Sequence, residues 1–370
     1  MRAWNLIVGL TCLWLTACSP QDELTDHFQT YLTRVAYVLE VPAPPLSPPP
    51  ALAPLPAQRE LTLMPARISS GLLDALKLSQ CDLLGLVAEH NGPAGKSLSA
   101  AGQFAYHLQF QRGLALCVTH IDDAQLHVWL TELAQLKAPL LPIYFWNMMV
   151  AEPEVRTALS PVQHSLAFNS QGGYQATLQA FSLFTHLQTQ ANQYAIRPLA
   201  LSNIRSENRS KYRPVDINEE VSEELSEELN QALRGLYKNP YFGQLVYSLH
   251  ASAEHLEQSI DFLGQLSHFN CQGANAIKAE RLRNALQHYY IKDIQPYFTE
   301  LDRQFVQLAP LLQASLTPPA EKADVMADYQ KQLALGLESQ LYVRYRTLTL
   351  QHAKVWQDFL KRCELSPKRG

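Results

Sequence analysis

Eight prolines fall between Pro42 and Pro56 (VPAPPLSPPPALAPLP), a density that forbids a regular helix or an interior strand. Each proline fixes φ near −65° and lacks a backbone donor. Residues 41–58 must therefore be extended polyproline II or irregular. At about 3.1 Å per residue the stretch reaches on the order of 50 Å. That length suits a stalk, a strap laid across a folded body, or a Pro-rich ligand for a partner. It separates a short segment, 18–40, from a long body, 59–370, with a secondary boundary near 200–216.

Around this interruption the apolar residues recur at helical spacing. Leu24, Phe28, Tyr31, Leu32, Val35 and Leu39 predict a helix over 21–40. Further helices are expected over 68–89, 97–113 and 121–137, then a short buried one at 143–150. A long one follows over 160–193, with a break allowed at Gly172-Gly173. An acidic helix over 218–236 carries the stripe Val221, Leu225, Leu229, Ala232, Leu236. Helices over 240–268, 276–295 and 296–315 come next, the last with Pro296 in its first turn. A final helix of about 40 residues is expected over 320–360. No stretch alternates with period two. The expected fold is all-α, a multi-helix bundle, elongated or folded back on itself.

The N-terminus has the three parts of an export signal: Arg2, an apolar run from Leu6 to Leu15, and small residues before Cys18. Leu15-Thr16-Ala17-Cys18 resembles the lipobox of bacterial lipoproteins. That resemblance implies a leader of residues 1–17, cleavage before Cys18, and diacylglycerol and acyl groups on that cysteine. The apolar run is shorter than the ~20 residues that span a bilayer. Ser19 follows the cysteine in place of the Asp that often retains such proteins in the inner membrane. The expected location is the periplasmic face of the outer membrane, with the membrane as a partner through the anchor.

Such a compartment is oxidising, and four of the six cysteines remain once Cys12 leaves with the leader and Cys18 takes lipid. Cys81, Cys117, Cys271 and Cys363 allow three pairings. The favoured one joins Cys81 to Cys117, between consecutive segments, and Cys271 to Cys363, stapling the C-terminal helix. Each bridge contributes roughly 3–5 kcal/mol by loop entropy. A zinc site is the alternative, but no C-x-x-C pair is present. A formal charge of −4 argues against a nucleic-acid partner, which requires a basic face.

Candidate chemistry is sparse. Gly95-Lys96-Ser97 matches the end of a phosphate-binding loop, but His90 stands where its first glycine belongs and a helix is expected before it. It reads as a turn, and no nucleotide is expected. His250, Glu254 and His255 share a helix and are weak metal candidates without the H-E-x-x-H order. His120 with Asp122 and Asp123 is a polar cluster. Tyr289, Tyr290, Tyr297 and Phe298 read as core aromatics. Arg197, Arg205, Arg209, Lys211 and Arg213 form a basic loop that reads as a solvated surface or as partners for the neighbouring acids Glu223, Glu224, Glu227 and Glu228, the alternative being a site for anionic lipid or a partner. No catalytic residue and no cofactor is assigned.

Several segments together resemble the DUF3080 family, uncharacterised proteobacterial lipoproteins. They are the lipobox at Cys18, Ser70–Cys81 (SGLLDALKLSQC) with Asn91 and Gly95, and Tyr106–Cys117. Tyr289-Tyr290-Ile291, Ile294-Gln295-Pro296-Tyr297 and the ending Trp356–Pro367 (WQDFLKRCELSP) complete the set. The chain departs at Gly92, where Ser is expected, and at Glu364, where Gly is expected. The resemblance implies a helical, exported lipoprotein and carries over no activity. The expected function is an envelope lipoprotein that binds a protein or a lipid without catalysis. The alternatives are a periplasmic hydrolase with an unfamiliar site and an assembly factor acting through the acidic helix.

Overall fold

In the computed structural model, residues 22–68, 71–200 and 214–366 are described. They form an all-α, multi-helix fold, with no strand among the described residues. Cys18, the leader and most of the basic loop, including Arg205, Arg209, Lys211 and Arg213, lie outside the described residues.

The first helix, α1 (Glu23–Leu39), is a core element. Leu24, Phe28, Tyr31, Leu32 and Val35 have no exposed surface. It ends where Glu40 turns into the left-handed region (φ 59°) and Val41 N–H reaches the carbonyl of Ala36; Pro42 then blocks any continuation.

The proline stretch is a strap against the body. A proline-rich backbone leaves carbonyls in need of donors, and side chains of the body supply them. Gln29 Nε2 donates to Pro44 O at 3.4 Å, Arg156 Nη2 to Pro56 O at 2.9 Å, and His250 Nε2 meets Pro50 O at 2.8 Å. The two free N–H groups of Ser47 and Ala53 donate to Gln258 and Gln332. Leu55 is buried, and Leu46 and Leu52 pack beside it on the core. After the short α2 (Gln58–Leu61), Asn147 clamps Leu63 by both its backbone N–H and its carbonyl.

The body continues with α3 (Leu72–Lys77), α4 (Leu84–Asn91), α5 (Ala100–Val118), α6 (Ala124–Lys137), α7 (Leu141–Ala151) and α8 (Pro153–Ala158). The helix expected over 68–89 is thus split. Leu78–Cys81 tightens into a 3-10 turn, and Asp82 takes a left-handed conformation (φ 54°). Asp123 starts α6 by accepting from the N–H groups of Gln125 and Leu126. Helix α5 is apolar on two sides because it serves two cores. Phe104 and Leu108 enter the main core, whereas Phe110, Leu114 and Cys117 join Leu78, Leu83, Leu126 and Leu130 in a smaller one.

The helix expected over 160–193 begins only at α9 (Tyr174–Ile196); residues 159–173 are a loop ending at Gly173 (φ 86°). A Cβ on Gly173 would lie 2.2 Å from Asn239 Oδ1, so both space and φ require glycine. Next come α10 (Pro214–Leu236), whose Leu225, Leu229 and Leu236 are buried, α11 (Tyr241–Leu263) and α12 (Asn275–Ala285). The helix then widens to π geometry over Leu286–Ile294 before α13 (Gln295–Ser315).

The single 40-residue C-terminal helix expected from the sequence is instead α14 (Ala323–Tyr329), a π segment at Gln330–Ala334, and α15 (Gln340–Arg362). Gly336 (φ 61°) makes the break, because a Cβ there would meet Ala309 O at 2.9 Å. Ser339 restarts the helix by accepting from Tyr342 N–H. Helix α15 lies along α11, and α1 packs against α11, α12 and the first π segment.

Candidate binding cleft

The cleft is built around the start of α1. Asp22 precedes the helix in an extended conformation, but its carboxylate does not cap its own helix. Oδ1 accepts from the backbone N–H of Ser165 at 2.8 Å and from its hydroxyl at 2.6 Å. Glu23 Oε2 accepts the N–H of Phe168 at 3.0 Å. The same loop is held from behind: Ser248 Oγ accepts Leu166 N–H, and the Tyr297 hydroxyl donates to Leu166 O at 2.9 Å. Asp22 and one side chain from each of three helices therefore fix residues 165–168.

That loop presents Phe168 between two rings. His27 stacks on it with centroids 4.2 Å apart, and Tyr297 lies on its other side at 4.2 Å and 8°. Burial pushes the Tyr297 hydroxyl far above its ordinary pKa, so it remains a donor.

The opposite wall comes from the π segment and α13. Pro296 cannot donate to the carbonyl of Lys292, and its ring crowds that carbonyl. The chain widens instead, and Gln295 N–H reaches back five residues to Tyr290 O. Lys292, Asp293, Tyr297 and Glu300 are thereby set along a cleft of about 580 Å³. Glu300 is held by both arms of Arg303, at 2.9 and 2.5 Å, and by Gln304 Nε2 at 2.7 Å. The hydrogen bond from Arg303 keeps its carboxyl below the usual carboxylate range. Gln304 in turn accepts the Tyr241 hydroxyl. Lys292 and Asp293 have no hydrogen-bond or ion-pair partner among the described residues.

The residues singled out in the sequence lie elsewhere, apart from Pro296 and Tyr297. The sulfurs of Cys81 and Cys117 are at bonding distance, as are those of Cys271 and Cys363, with Cα–Cα separations of 5.3 Å in both pairs. The first bridge pins the smaller core, and the second ties the end of α15 to the loop before α12. His250, Glu254 and His255 do not converge. His250 bonds the strap, Glu254 pairs with Arg344 at 3.0 Å, and buried His255 meets Thr25 Oγ1 at 3.0 Å. No group of three or more metal-ligating side chains forms among the described residues.

Gly95–Ser97 is a 3-10 turn with α4, not a strand, before it. A Cβ on Gly95 would fall 2.0 Å from His90 O, which gives the glycine a packing reason. His120 turns back to Leu116 O at 3.0 Å while Asp123 caps α6, so that polar cluster is local. Tyr289 lies under the Arg34 guanidinium at 5.4 Å, and Tyr290 and Phe298 are buried. The acids Glu224, Glu227 and Glu228 line the exposed face of α10.

Sequence reasoning did not find Glu23, His27, Phe168, Lys292 or Asp293. The available signal was Pro296 four residues after Lys292, which disrupts an α-helical bond at that turn.

An all-α protein with a strapped body and a charged cleft beside its first helix is the class defined by this fold. The model of the family described as "Protein of unknown function (DUF3080)" matches residues 28–213 and 215–367, and the chain belongs to that family. No curated protein and no solved structure matches it.

Proposed function

We propose that this chain is a lipid-anchored envelope protein, joined to acyl chains at Cys18 and facing the periplasm from the outer membrane. Its role is to bind a lipid or a protein in the cleft beside α1. The observation that carries this reading is the seating of α1. Its first turn supplies one wall of the cleft, and its next turns are core. Asp22 is four residues from Cys18, so the slack between anchor and body is at most about 14 Å. The strap adds nothing to that slack because it is packed against the body. No described helix is long and apolar enough to cross a membrane, so attachment in this reading rests on the acyl chains. One chain anchors only marginally, and several on one cysteine hold stably.

Mass spectrometry of the N-terminal peptide tests the anchor. The expected peptide begins at Cys18 and carries diacylglycerol and an amide-linked acyl chain. An unmodified peptide, or one that retains residues before Cys18, overturns it. Release of a Cys18→Ala variant from the membrane fraction is the companion result.

A further inference from the structure

We propose that the cleft beside α1 takes the headgroup of an aminophospholipid, an ammonium joined through two carbons to a phosphodiester. This deepens the preceding reading and rests on it for the source of the ligand.

The charges select such a group. Three carboxylates, Glu23, Asp293 and Glu300, face the cleft with one ammonium, Lys292. The excess is negative, so a cation is favoured and a simple anionic lipid is not. Two of the carboxylates are already engaged, Glu23 by Phe168 N–H and Glu300 by Arg303 and Gln304. Adjacent in the π segment, Lys292 and Asp293 are unengaged among the described residues. They offer one positive and one negative site side by side. A ligand carrying both charges a few bonds apart answers both, its ammonium to Asp293 and its phosphate to Lys292. A cation alone leaves Lys292 unanswered, and a phosphate alone leaves Asp293.

Shape and position agree with this chemistry. At about 580 Å³ the cleft falls within the roughly 300–1,000 Å³ of small-molecule sites. The stacked His27, Phe168 and Tyr297 give a rigid apolar wall for the carbons between the charged groups. The anchor holds this mouth within about 14 Å of the acyl chains. The polar layer of a bilayer is itself some 5–8 Å deep on each side. A headgroup therefore comes within reach without a lipid leaving the leaflet by more than its own length.

The test is native mass spectrometry of the full lipidated protein released from nanodiscs of mixed phosphatidylethanolamine and phosphatidylglycerol. Retained phosphatidylethanolamine is expected to exceed its share in the disc. Lys292→Ala and Asp293→Ala should each lower that retention at least about tenfold, the scale of one lost charge-assisted hydrogen bond. Ile291→Ser, beside the pair, should leave it unchanged. Circular dichroism and thermal unfolding of the variants establish that they fold.

Equal retention of both lipids, or retention unaffected by either alanine, overturns the proposal. Binding of soluble O-phosphoethanolamine without enrichment of the lipid overturns the lipid as the source. Short-chain dihexanoyl phosphatidylethanolamine, titrated in solution, reads headgroup selectivity without the anchor. An unmodified Cys18 peptide with intact selectivity for that probe therefore sinks the anchor alone.

Discussion

The Tyr31 hydroxyl lies 3.1 Å from Nε2 of His352, 321 positions away along the chain. Both side chains are fully buried, and Trp356 Nε1 donates to the same hydroxyl at 2.6 Å. One oxygen thus satisfies two groups on α15 from the centre of α1. Tyr31→Phe keeps the ring and strands both partners. The expected loss is about 1–3 kcal/mol, read as a lower urea midpoint with unchanged slope. A midpoint equal to wild type would mean that water replaces the hydroxyl.

Burial drives His255 to a pKa of about 4 and His352 to about 3. His107 is held near 3 by burial and, to a lesser degree, by Lys137 and His90. All three fall below the unfolded value of about 6.5. Between those values the unfolded chain binds more protons than the folded one, so stability falls as pH falls. The contribution is complete above about pH 6.5 and is lost progressively toward the folded-state values. Each histidine accounts for up to about 1.4 kcal/mol per pH unit in that window. Urea unfolding at about pH 7 and about pH 5 should differ by several kcal/mol. His352→Phe should flatten the dependence by about a third, and a flat wild-type profile would refute the account.

Leu55 is the strap's one buried anchor, 7% exposed between prolines. Leu55→Ala should cost about 2–3 kcal/mol if the strap stays in place. A smaller loss accompanied by rapid proteolysis within 41–62 would show that the strap lifts as a unit. Limited proteolysis with mass mapping distinguishes the two, and resistance equal to wild type would contradict both.

Glu364 ends α15 in a left-handed conformation (φ 57°), with its N–H on Lys361 O and that of Leu365 on Leu360 O. This pair of bonds is the Schellman arrangement, in which glycine usually takes the left-handed position. A side chain there costs roughly 1–2 kcal/mol, partly offset by the greater freedom of unfolded glycine. Glu364→Gly should therefore raise stability, by about 0.5–1 kcal/mol. Thermal unfolding under oxidising conditions reads this, and a drop would refute it.

The two bridges close loops of 36 and 92 residues. Loop entropy assigns about 4 and about 5 kcal/mol to them. Cys81→Ala with Cys117→Ala should raise amide exchange in α3 to α6, where the smaller core lies. Cys271→Ala with Cys363→Ala should raise it at the end of α15 and the start of α12. Exchange rising uniformly in both cases would show that the two cores open together.

Much of this fold was legible because single helices bury single stripes. The period of α1 and the leucine row of α10 follow from local pattern. Boundaries set by distant neighbours were not. The helix expected over 160–193 starts only at Tyr174, because Asp22, Glu23, Ser248 and Tyr297 hold residues 165–168 as a loop. Gly336 falls inside the helix expected over 320–360, but Ala309 O takes the space a Cβ needs and the chain breaks there. The cleft was hidden for the same reason. Its residues come from three separated segments, and only Pro296 and Tyr297 belong to a motif. A lysine and an aspartate side by side on a helix resemble any solvated pair until the π turn puts them on one wall.

The central place of α1 has a consequence for the order of events as the chain is made. A chain delivered amino end first presents this helix before its packing partners exist. Thr25 must wait for residue 255, and Tyr31 for residues 352 and 356. Helices α11 and α12 and the first π segment cover part of its apolar face earlier, but the part that meets α15 stays open until the last helix is made. Closing contacts over such separations is slow. The first helix therefore completes its packing only once α15, the last helix, has been made.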